Sequence, residues 1–174
     1  MIAKDFLNAV ANGKEDVLQI LLDILAERGV PYCVVNGFAA AAYAEPVVSL
    51  DLDIVVAAEG IDAVADAAAA RGLKVERFEH SVNLGSAKSD LRVQFQTDER
   101  YQAFIPGAAE RDVLGYRMHV AAVEDVLQGK LWAYEDPTRR ASKRQKDLAD
   151  IMRLVESGPA LESGLPTDIR QQLK

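Results

Sequence analysis

Residues 51–56 read Asp51-Leu52-Asp53-Ile54-Val55-Val56, two acids followed by branched apolar residues. This composition is typical of a β-strand, whose side chains alternate between its two faces. The alternation predicts that Asp51 and Asp53 share one face, about 6–7 Å apart along the strand, while the residues between and after them enter the core. Carboxylate oxygens are the ligands that Mg²⁺ prefers, so the pair can hold one ion or two neighbouring ions. A lone Asp-x-Asp is more often a pair of ordinary surface acids, so the interpretation as a metal site depends on the surrounding sequence.

A strand, a turn and a helix are predicted just before this pair, in Val34-Val35-Asn36-Gly37-Phe38-Ala39. The first turn of a helix presents backbone N–H groups that can hold a phosphate, and glycine lets the phosphate approach the backbone closely. Asn36 can add a side-chain hydrogen bond. An ordinary turn glycine is the alternative, but the order of the elements would place a phosphate cradle beside the two acids, at neighbouring strand ends.

The glycine turn and the acidic strand together resemble the nucleotidyltransferase superfamily with a DNA polymerase β-like core. The pattern of that superfamily is glycine followed by glycine or serine, then a spacer, then Asp-x-Asp or Asp-x-Glu. Here Gly37 and Phe38 are followed by twelve residues and then by Asp51-Leu52-Asp53. Phe38 departs from the small residue that the pattern has at its position.

The C-terminal third resembles the helical part of abortive-infection-type nucleotidyltransferases, a group that includes toxins of bacterial toxin–antitoxin systems. The likeness is carried by Lys130-Leu131-Trp132-Ala133, by the cationic run from Arg139 to Lys143, and by Lys146-Asp147-Leu148-Ala149-Asp150-Ile151. Lys130 is a candidate for reaching a triphosphate across the cleft, and a lysine on a helix flank explains it equally well. For Asp150 the sequence favours a solvated helix face with opposite charges four residues apart.

The resemblance implies transfer of a nucleoside monophosphate from a nucleoside triphosphate (NTP) to a hydroxyl acceptor on a tRNA, a protein or a small molecule. It implies that Asp51 and Asp53 are catalytic residues that bind Mg²⁺ or Mn²⁺. A toxin-like role would add a cognate antitoxin as a partner. The residues expected to bind the triphosphate are Asn36, Gly37, Phe38 and Lys130.

A third carboxylate, which active members of the superfamily carry on a nearby strand, is not evident in the sequence. The strand predicted at residues 91–96 puts Gln94 where that acid is expected, and an amide cannot serve as a general base and is a poor ligand for Mg²⁺. Asp90 and Glu79 are substitutes only if the strand register differs. A second hypothesis is therefore a catalytically impaired protein of this fold that binds a nucleotide or a partner protein. A third is an interaction module that uses the acidic surface.

The composition limits these hypotheses. A net charge of −7 disfavours a large nucleic-acid interface, which needs a basic face, but it allows binding of a small nucleotide. Cys33, the single cysteine, lies in an apolar run and is typical of a small buried side chain in a reducing compartment. The sequence shows no secretory signal and no apolar run long enough to span a bilayer, so we expect a cytoplasmic protein without membrane contact.

The predicted elements define an α+β fold: a small mixed β-sheet of the nucleotidyltransferase type, flanked by helices, with a C-terminal helical hairpin. We expect residues 1–121 to form the core with its N-terminal helices, and residues 122–174 to form a helical segment packed on it. The predicted strands are 32–35, 50–56, 75–78, 82–85, 91–96 and 116–120. The predicted helices are 1–28 with a break at 12–13, 38–44, 61–71, 123–136 and 142–155, before a loose tail from residue 158.

Overall fold

Seven strands form one mixed sheet in this computed structural model, which describes residues 3–174. The strands are β1 (Tyr32–Val35), β2 (Asp51–Val56), β3 (Lys74–Arg77), β4 (Ser81–Ser86), β5 (Ser89–Gln96), β6 (Ala109–Val113) and β7 (Tyr116–Val120). Their order across the sheet is β3-β4-β5-β2-β1-β7-β6. The pairs β2–β5 and β1–β7 are parallel, and the other neighbours are antiparallel.

Helices flank the sheet and follow it in the chain. They are α1 (Ala3–Val10), α2 (Val17–Arg28), α3 (Asn36–Ala40), α4 (Ile61–Ala70), α5 (Val123–Glu135), α6 (Ala141–Ser157) and α7 (Thr167–Gln172). Helices α2 and α4 contact each other, and α4 also contacts β3 and β4, while α3 contacts β1, β2, α5 and α6. Three short 3₁₀ segments, Ala58–Gly60, Glu99–Gly107 and Pro159–Gly164, complete the described elements. The predicted fold class is thereby confirmed, and α5 and α6 form the predicted helical hairpin.

The core lies along the centre of the sheet, where β2 pairs with β5. Leu52 is in register with Val93 and Ile54 with Phe95, and all four side chains are buried. Removing such branched and aromatic side chains from water is the main force that holds a fold together, at about 1.5–3 kcal/mol for each. Because side chains alternate along a strand, burying these residues turns the polar residues of β2 and β5 to the opposite face of the sheet.

One strand was missed by the sequence patterns, and one helix was predicted too long. Strand β6 has the sequence AERDV and four exposed residues, so it shows no apolar alternation. It is positioned by pairing with β7 through a tight turn, in which Leu114 and Gly115 have φ angles of 51° and 85°, as in a type I′ turn. The helix expected at 38–44 is α3, which begins at Asn36 and ends at Ala40 before a series of turns.

The prediction of a loose C-terminal tail is wrong. Leu165 and Ile169 are buried, so the segment after α6 is anchored to the core through apolar contacts, and α7 forms within it. Its glycines and prolines had indicated an irregular chain, and burial overrides that local preference. The predicted boundary at residue 121 follows the end of β7, and the division into two parts stays a prediction. No helix within residues 3–174 is long and apolar enough to cross a membrane. Of the predicted first helix, Met1 and Ile2 lie outside the described residues.

Candidate active site

The two acids of β2 occupy the polar face of the sheet, as alternation requires. Leu52, Ile54 and Val56 are fully buried on the strand, while Asp51 and Asp53 are partly exposed. Asp53 lies between the two neighbouring strands, in register with Val35 on β1 and with Gln94 on β5. Both acids therefore lie at the end of β2 that adjoins the junction of β1 and α3.

Asp53 is held by Asn36, the first residue of α3. The Nδ2 of Asn36 donates a hydrogen bond of 2.9 Å to Oδ2 of Asp53. Burial raises the pKa of Asp53 above its ordinary value, an effect that the Asn36 hydrogen bond and the nearby Lys130 only partly offset. The neighbouring carboxylate of Asp51 raises it further. Asp53 is thus a carboxyl group whose charge is poorly compensated by the chain itself.

The Asn36-Gly37 turn has room above it. Asn36 has a φ of 59°, in the left-handed region that asparagine tolerates better than most residues. A methyl group placed on Gly37 would meet no heavy atom within 4 Å, so the backbone there is open to a ligand. The side chain of Phe38, in contrast, is buried in the core, and only its main chain can contribute to a phosphate cradle. The phosphate-binding roles of Asn36, Gly37 and Phe38 stay predictions.

Asp51 is paired with two cationic side chains. Arg92 lies in register with it on β5, and its Nε donates to Oδ1 of Asp51 at 2.7 Å. Lys143, in the first turn of α6, places its Nζ 3.6 Å from Oδ2 of the same carboxylate. Sequence reasoning did not predict that either residue pairs with Asp51. The only signals were the alternation that puts Arg92 on the face of Gln94 and the position of Lys143 in the cationic run.

Gln94 occupies the place where the third acid was expected, next to Asp53 on the polar face. Asp90, one of the two possible substitutes, lies at the start of β5 and accepts a hydrogen bond of 2.7 Å from Asn12. Glu79, the other substitute, lies in the turn between β3 and β4 and is largely exposed. Within residues 3–174 no group of three or more His, Cys, Asp or Glu side chains is placed to hold a metal ion.

Lys130 is buried, and its ammonium is shared between two acids of α6. Its Nζ lies 3.1 Å from Oδ1 of Asp147 and 2.7 Å from Oδ2 of Asp150. Asp147 also accepts hydrogen bonds of 2.8 and 3.1 Å from Arg139. The interpretation of Asp150 as part of a solvated face is wrong, since its side chain is only 5% exposed and paired with Lys130 and Arg153. Whether Lys130 also contacts a triphosphate stays a prediction.

Burial raises the pKa of Asp150, but the ammonium of Lys130 and the guanidinium of Arg153 outweigh this effect. The pKa of Asp150 therefore lies below its ordinary value. The carboxylate is ionised at neutral pH and forms a charged pair inside the helical hairpin. This pair joins α5 to α6 and fixes the helix that carries Lys143.

Two open clefts, of about 880 and 870 Å³, border the acidic pair. Each is large enough for a nucleotide or an acceptor of similar size. The residues that line both clefts are Asp53, Gln94 and Arg139. The first cleft is also lined by Asn36, Tyr101 and Trp132, among others. The second is also lined by Asp51, Arg92 and Lys143, among others. A reaction between two bound molecules would have Asp53 at the junction of the two clefts.

No protein-family model and no curated protein sequence matches this chain. The fold nevertheless resembles solved nucleotidyltransferase structures. The structure of ANT(2'')-Ia in complex with adenylyl-2''-tobramycin matches with a TM-score of 0.60 at 16% sequence identity, over 90% of this chain and 94% of that one. The lincomycin-bound lincosamide antibiotic adenylyltransferase LnuA matches with a TM-score of 0.57 at 13% identity, over 82% of this chain and 98% of that one. An antigenic nucleotidyltransferase-like protein from Paracoccidioides brasiliensis gives 0.52 at 17% identity, over 89% of this chain and 78% of that one.

The chain therefore has a nucleotidyltransferase fold, which confirms the expectation drawn from Gly37, Asp51 and Asp53. At identities below one fifth, such likeness concerns the fold. Function has to be argued from the site itself, because one fold carries many activities. The toxin-like branch of the superfamily stays a prediction.

Proposed function

We propose that this protein is a nucleotidyltransferase, which moves a nucleoside monophosphate from an NTP to a hydroxyl group of a tRNA, a protein or a small molecule. The observation that carries the proposal is the position of Asp51 and Asp53 on one strand face, beside the Asn36-Gly37 turn of a nucleotidyltransferase fold. LnuA, of the same fold, is an adenylyltransferase. We extend the class of reaction to this chain, and leave the acceptor to experiment.

One divalent cation fits the donor groups of the site. Mg²⁺ is usually held by one or two carboxylates, and substrate phosphates and water complete its coordination. Asp51 and Asp53 would supply the two carboxylates, and the poorly compensated charge of Asp53 favours a cation there. When bound, Mg²⁺ or Mn²⁺ would neutralise the negative charge that develops on the phosphates and on the leaving pyrophosphate.

The other residues of the site would bind and orient the substrates. Asn36 fixes the carboxylate of Asp53 through its hydrogen bond, and the open backbone at Gly37 would receive the phosphates. Arg139, held in place by Asp147, lines both clefts and would attract phosphate oxygens. Gln94 lies beside Asp53, where its amide would hydrogen-bond the acceptor without removing its proton. We therefore expect slow transfer.

The first test is calorimetric titration of ATP, GTP, CTP and UTP into the protein, with and without Mg²⁺. We expect metal-dependent binding of at least one nucleotide, and loss of that binding in the double variant Asp51→Asn/Asp53→Asn. The matched control is Asp62→Asn/Asp66→Asn, which removes two exposed carboxylates of α4 and should bind as the parent does. If no triphosphate binds, or if both double variants lose binding equally, the proposed site is refuted.

The second test looks for transfer. Each NTP with a labelled α-phosphate is incubated with total tRNA, with the protein alone, and with a panel of small hydroxyl compounds. Label that moves to one class and requires Asp53 identifies the acceptor. Growth arrest that follows induction of the parent protein, but not of Asp53→Asn, would support the toxin-like form of the proposal. Relief of that arrest by a co-expressed protein would point to an antitoxin.

A second candidate is a catalytically impaired protein that binds a nucleotide or a partner, and Gln94 is the observation that favours it. The neutral amide stands directly beside Asp53, where active members are expected to carry a general base. The two candidates differ in one result. Nucleotide binding that depends on Asp53, with no transfer to any of the acceptor classes, favours the binding protein.

A further inference from the structure

The ion pairs of Asp51 place a cation of the chain against each of its carboxylate oxygens. Arg92 contacts Oδ1 at 2.7 Å and Lys143 lies 3.6 Å from Oδ2. Asp53 has no such arrangement, since its described side-chain hydrogen bond comes from the neutral amide of Asn36. The two acids of the motif therefore differ in how the chain neutralises them. One is paired with two cations of the chain, and the other accepts from a neutral amide.

These cations lie where a metal ion shared by Asp51 and Asp53 would have to compete with them. A carboxylate oxygen that accepts from a guanidinium offers less negative charge to a divalent ion, and the positive charges repel that ion. The side chains of Arg92 and Lys143 are 73% and 38% exposed, so the pairs are weak and can be displaced. The backbone of Arg92 is fixed, because its N–H donates to the carbonyl of Leu50 at 2.8 Å. Only the side chain would need to move.

The displaced side chains would remain in a cleft that suits phosphates. Arg92, Lys143 and Arg139 all line the second cleft, together with Asp51. If Asp51 bound a metal ion, the guanidinium and the ammonium would lose their partner, beside a site that would then hold a strongly charged metal–phosphate group. Arginine and lysine are the usual ligands of phosphate oxygens, arginine through two parallel hydrogen bonds.

We propose that Arg92 and Lys143 are exchangeable counter-ions of Asp51, which neutralise it in the metal-free site and pass to the substrate phosphates when a divalent cation takes their place. The inference rests on the proposed function, because it assumes a metal site at the two acids. It assigns both residues a phosphate-binding role and makes nucleotide and metal bind together. Metal alone must displace two cations, whereas metal with triphosphate gives those cations a new partner.

The test separates the two halves of the exchange. Free Mn²⁺ is measured by electron paramagnetic resonance during titration into the protein at low ionic strength, without nucleotide. Inorganic tripolyphosphate, a probe that does not depend on base preference, is then titrated by calorimetry into protein saturated with Mn²⁺. The variants are Arg92→Gln, Lys143→Gln, their combination, and Arg92→Lys. The matched control is Arg117→Gln, since Arg117 on β7 is also 73% exposed and pairs with Glu110 on the neighbouring strand.

We expect each neutral variant to bind Mn²⁺ about 1.4- to 5-fold more tightly than the parent, the factor that an exposed ion pair represents. The combination should bind it more tightly than either. The same variants should bind tripolyphosphate more weakly than the parent. The control Arg117→Gln should match the parent in both titrations. In both affinities Arg92→Lys should lie between the parent and Arg92→Gln. Opposite changes in the two affinities are the decisive sign, because a merely structural role would weaken the binding of both ligands.

An unchanged or weakened Mn²⁺ affinity in Arg92→Gln and Lys143→Gln overturns the inference, and so does an unchanged tripolyphosphate affinity in the combined variant. Failure of the proposed function looks different. If neither the parent nor the combined variant binds Mn²⁺, no metal site exists and both proposals fall. If the parent binds Mn²⁺ through Asp53 and the Arg92 and Lys143 variants leave that binding unchanged, the metal site stands and only the exchange is refuted.

Discussion

Replacing Lys130 by methionine tests whether the buried cation belongs to the helical hairpin or to the nucleotide site. The side chain of Lys130 is 4% exposed, and those of Asp147 and Asp150 are 1% and 5% exposed. Methionine keeps most of the volume and removes the charge. Both acids would then remain in the interior with one cation fewer.

The expected loss of stability follows from these contacts. Removing one partner of a buried ion pair costs about 3–5 kcal/mol, because the remaining charge is left without compensation. Asp147 keeps its two hydrogen bonds from Arg139, and Asp150 keeps its pair with Arg153, so we expect the lower end, about 3 kcal/mol. In a chain of this size 1 kcal/mol shifts the thermal midpoint by about 2–4 °C, which gives a fall of about 6–12 °C.

The assay is calorimetric thermal unfolding of Lys130→Met, Asp150→Leu and the double variant between pH 3 and pH 8. Asp150→Leu alone leaves Lys130 short of a partner, whereas the double variant replaces an ion pair by apolar side chains. We expect the double variant to have a free energy of unfolding at least about 1 kcal/mol higher than that of Lys130→Met, since replacing a buried ion pair by apolar side chains is often neutral or stabilising. Nucleotide binding is then measured on this stable double variant.

The dependence on pH has a definite sign. Folding lowers the pKa of Asp150 below its ordinary value of 3.8. The stabilisation from its partners is therefore present above that value, and it is lost as pH falls through the pKa of the folded state. The difference in midpoint between parent and Lys130→Met should be constant near neutrality and should shrink in acid. A midpoint within 2 °C of the parent at pH 7, combined with lost nucleotide binding, would refute the structural assignment and support triphosphate contact.

Three further predictions concern the polar face of the sheet. Asp53→Asn should raise the unfolding free energy at pH 7 by about 0.5–2 kcal/mol while abolishing metal binding, because folding raises the pKa of Asp53 and its ionisation opposes folding. Calorimetry should show the gain fading as pH falls through the raised pKa of the folded state, and no gain below 3.8, the ordinary value. Gly37→Ala should not lower the thermal midpoint, since the added methyl meets no neighbour and alanine favours the helix, yet it should weaken triphosphate binding in calorimetry. Equal binding would place the phosphates elsewhere. Gln94→Glu should bind Mn²⁺ more tightly in a paramagnetic resonance titration, and without metal it should unfold at a lower temperature than the parent. A metal-free variant more stable than the parent would contradict the prediction.

Much of the fold could be predicted because its elements carry strong local patterns. The apolar residues of α2 follow helical spacing, and the alternation in β5 places Leu91, Val93 and Phe95 on its buried face. Strand β6 carries no such signal. Its charged residues face solvent at the edge of the sheet, where charge protects against pairing with other chains, and only β7 determines its position.

The candidate site could be predicted only where its chemistry lies within one short segment. Asp51 and Asp53 were found because alternation places i and i+2 on one face, and Gln94 because the same rule applies to its strand. The partners of these residues come from 17 to 92 positions away, as Asn36 does for Asp53 and Lys143 for Asp51. Whether Asp150 faced solvent or the core depended on the packing of α5 against α6, which helix periodicity alone did not decide.

Charge balance gives one account of both unusual features of the site, the counter-ions of Asp51 and the amide at Gln94. Three carboxylates on adjacent strands repel one another strongly unless metal is bound, so a chain with all three depends on that metal. Here Arg92 and Lys143 neutralise one acid, and an uncharged side chain takes the third position. The folded protein can then be stable without a divalent ion, and the proposed metal site would bind its ion more weakly and support slower transfer. On this account, adding a negative charge with Gln94→Glu and removing a positive charge with Arg92→Gln should both tighten metal binding. Both changes should also lower the stability of the metal-free protein.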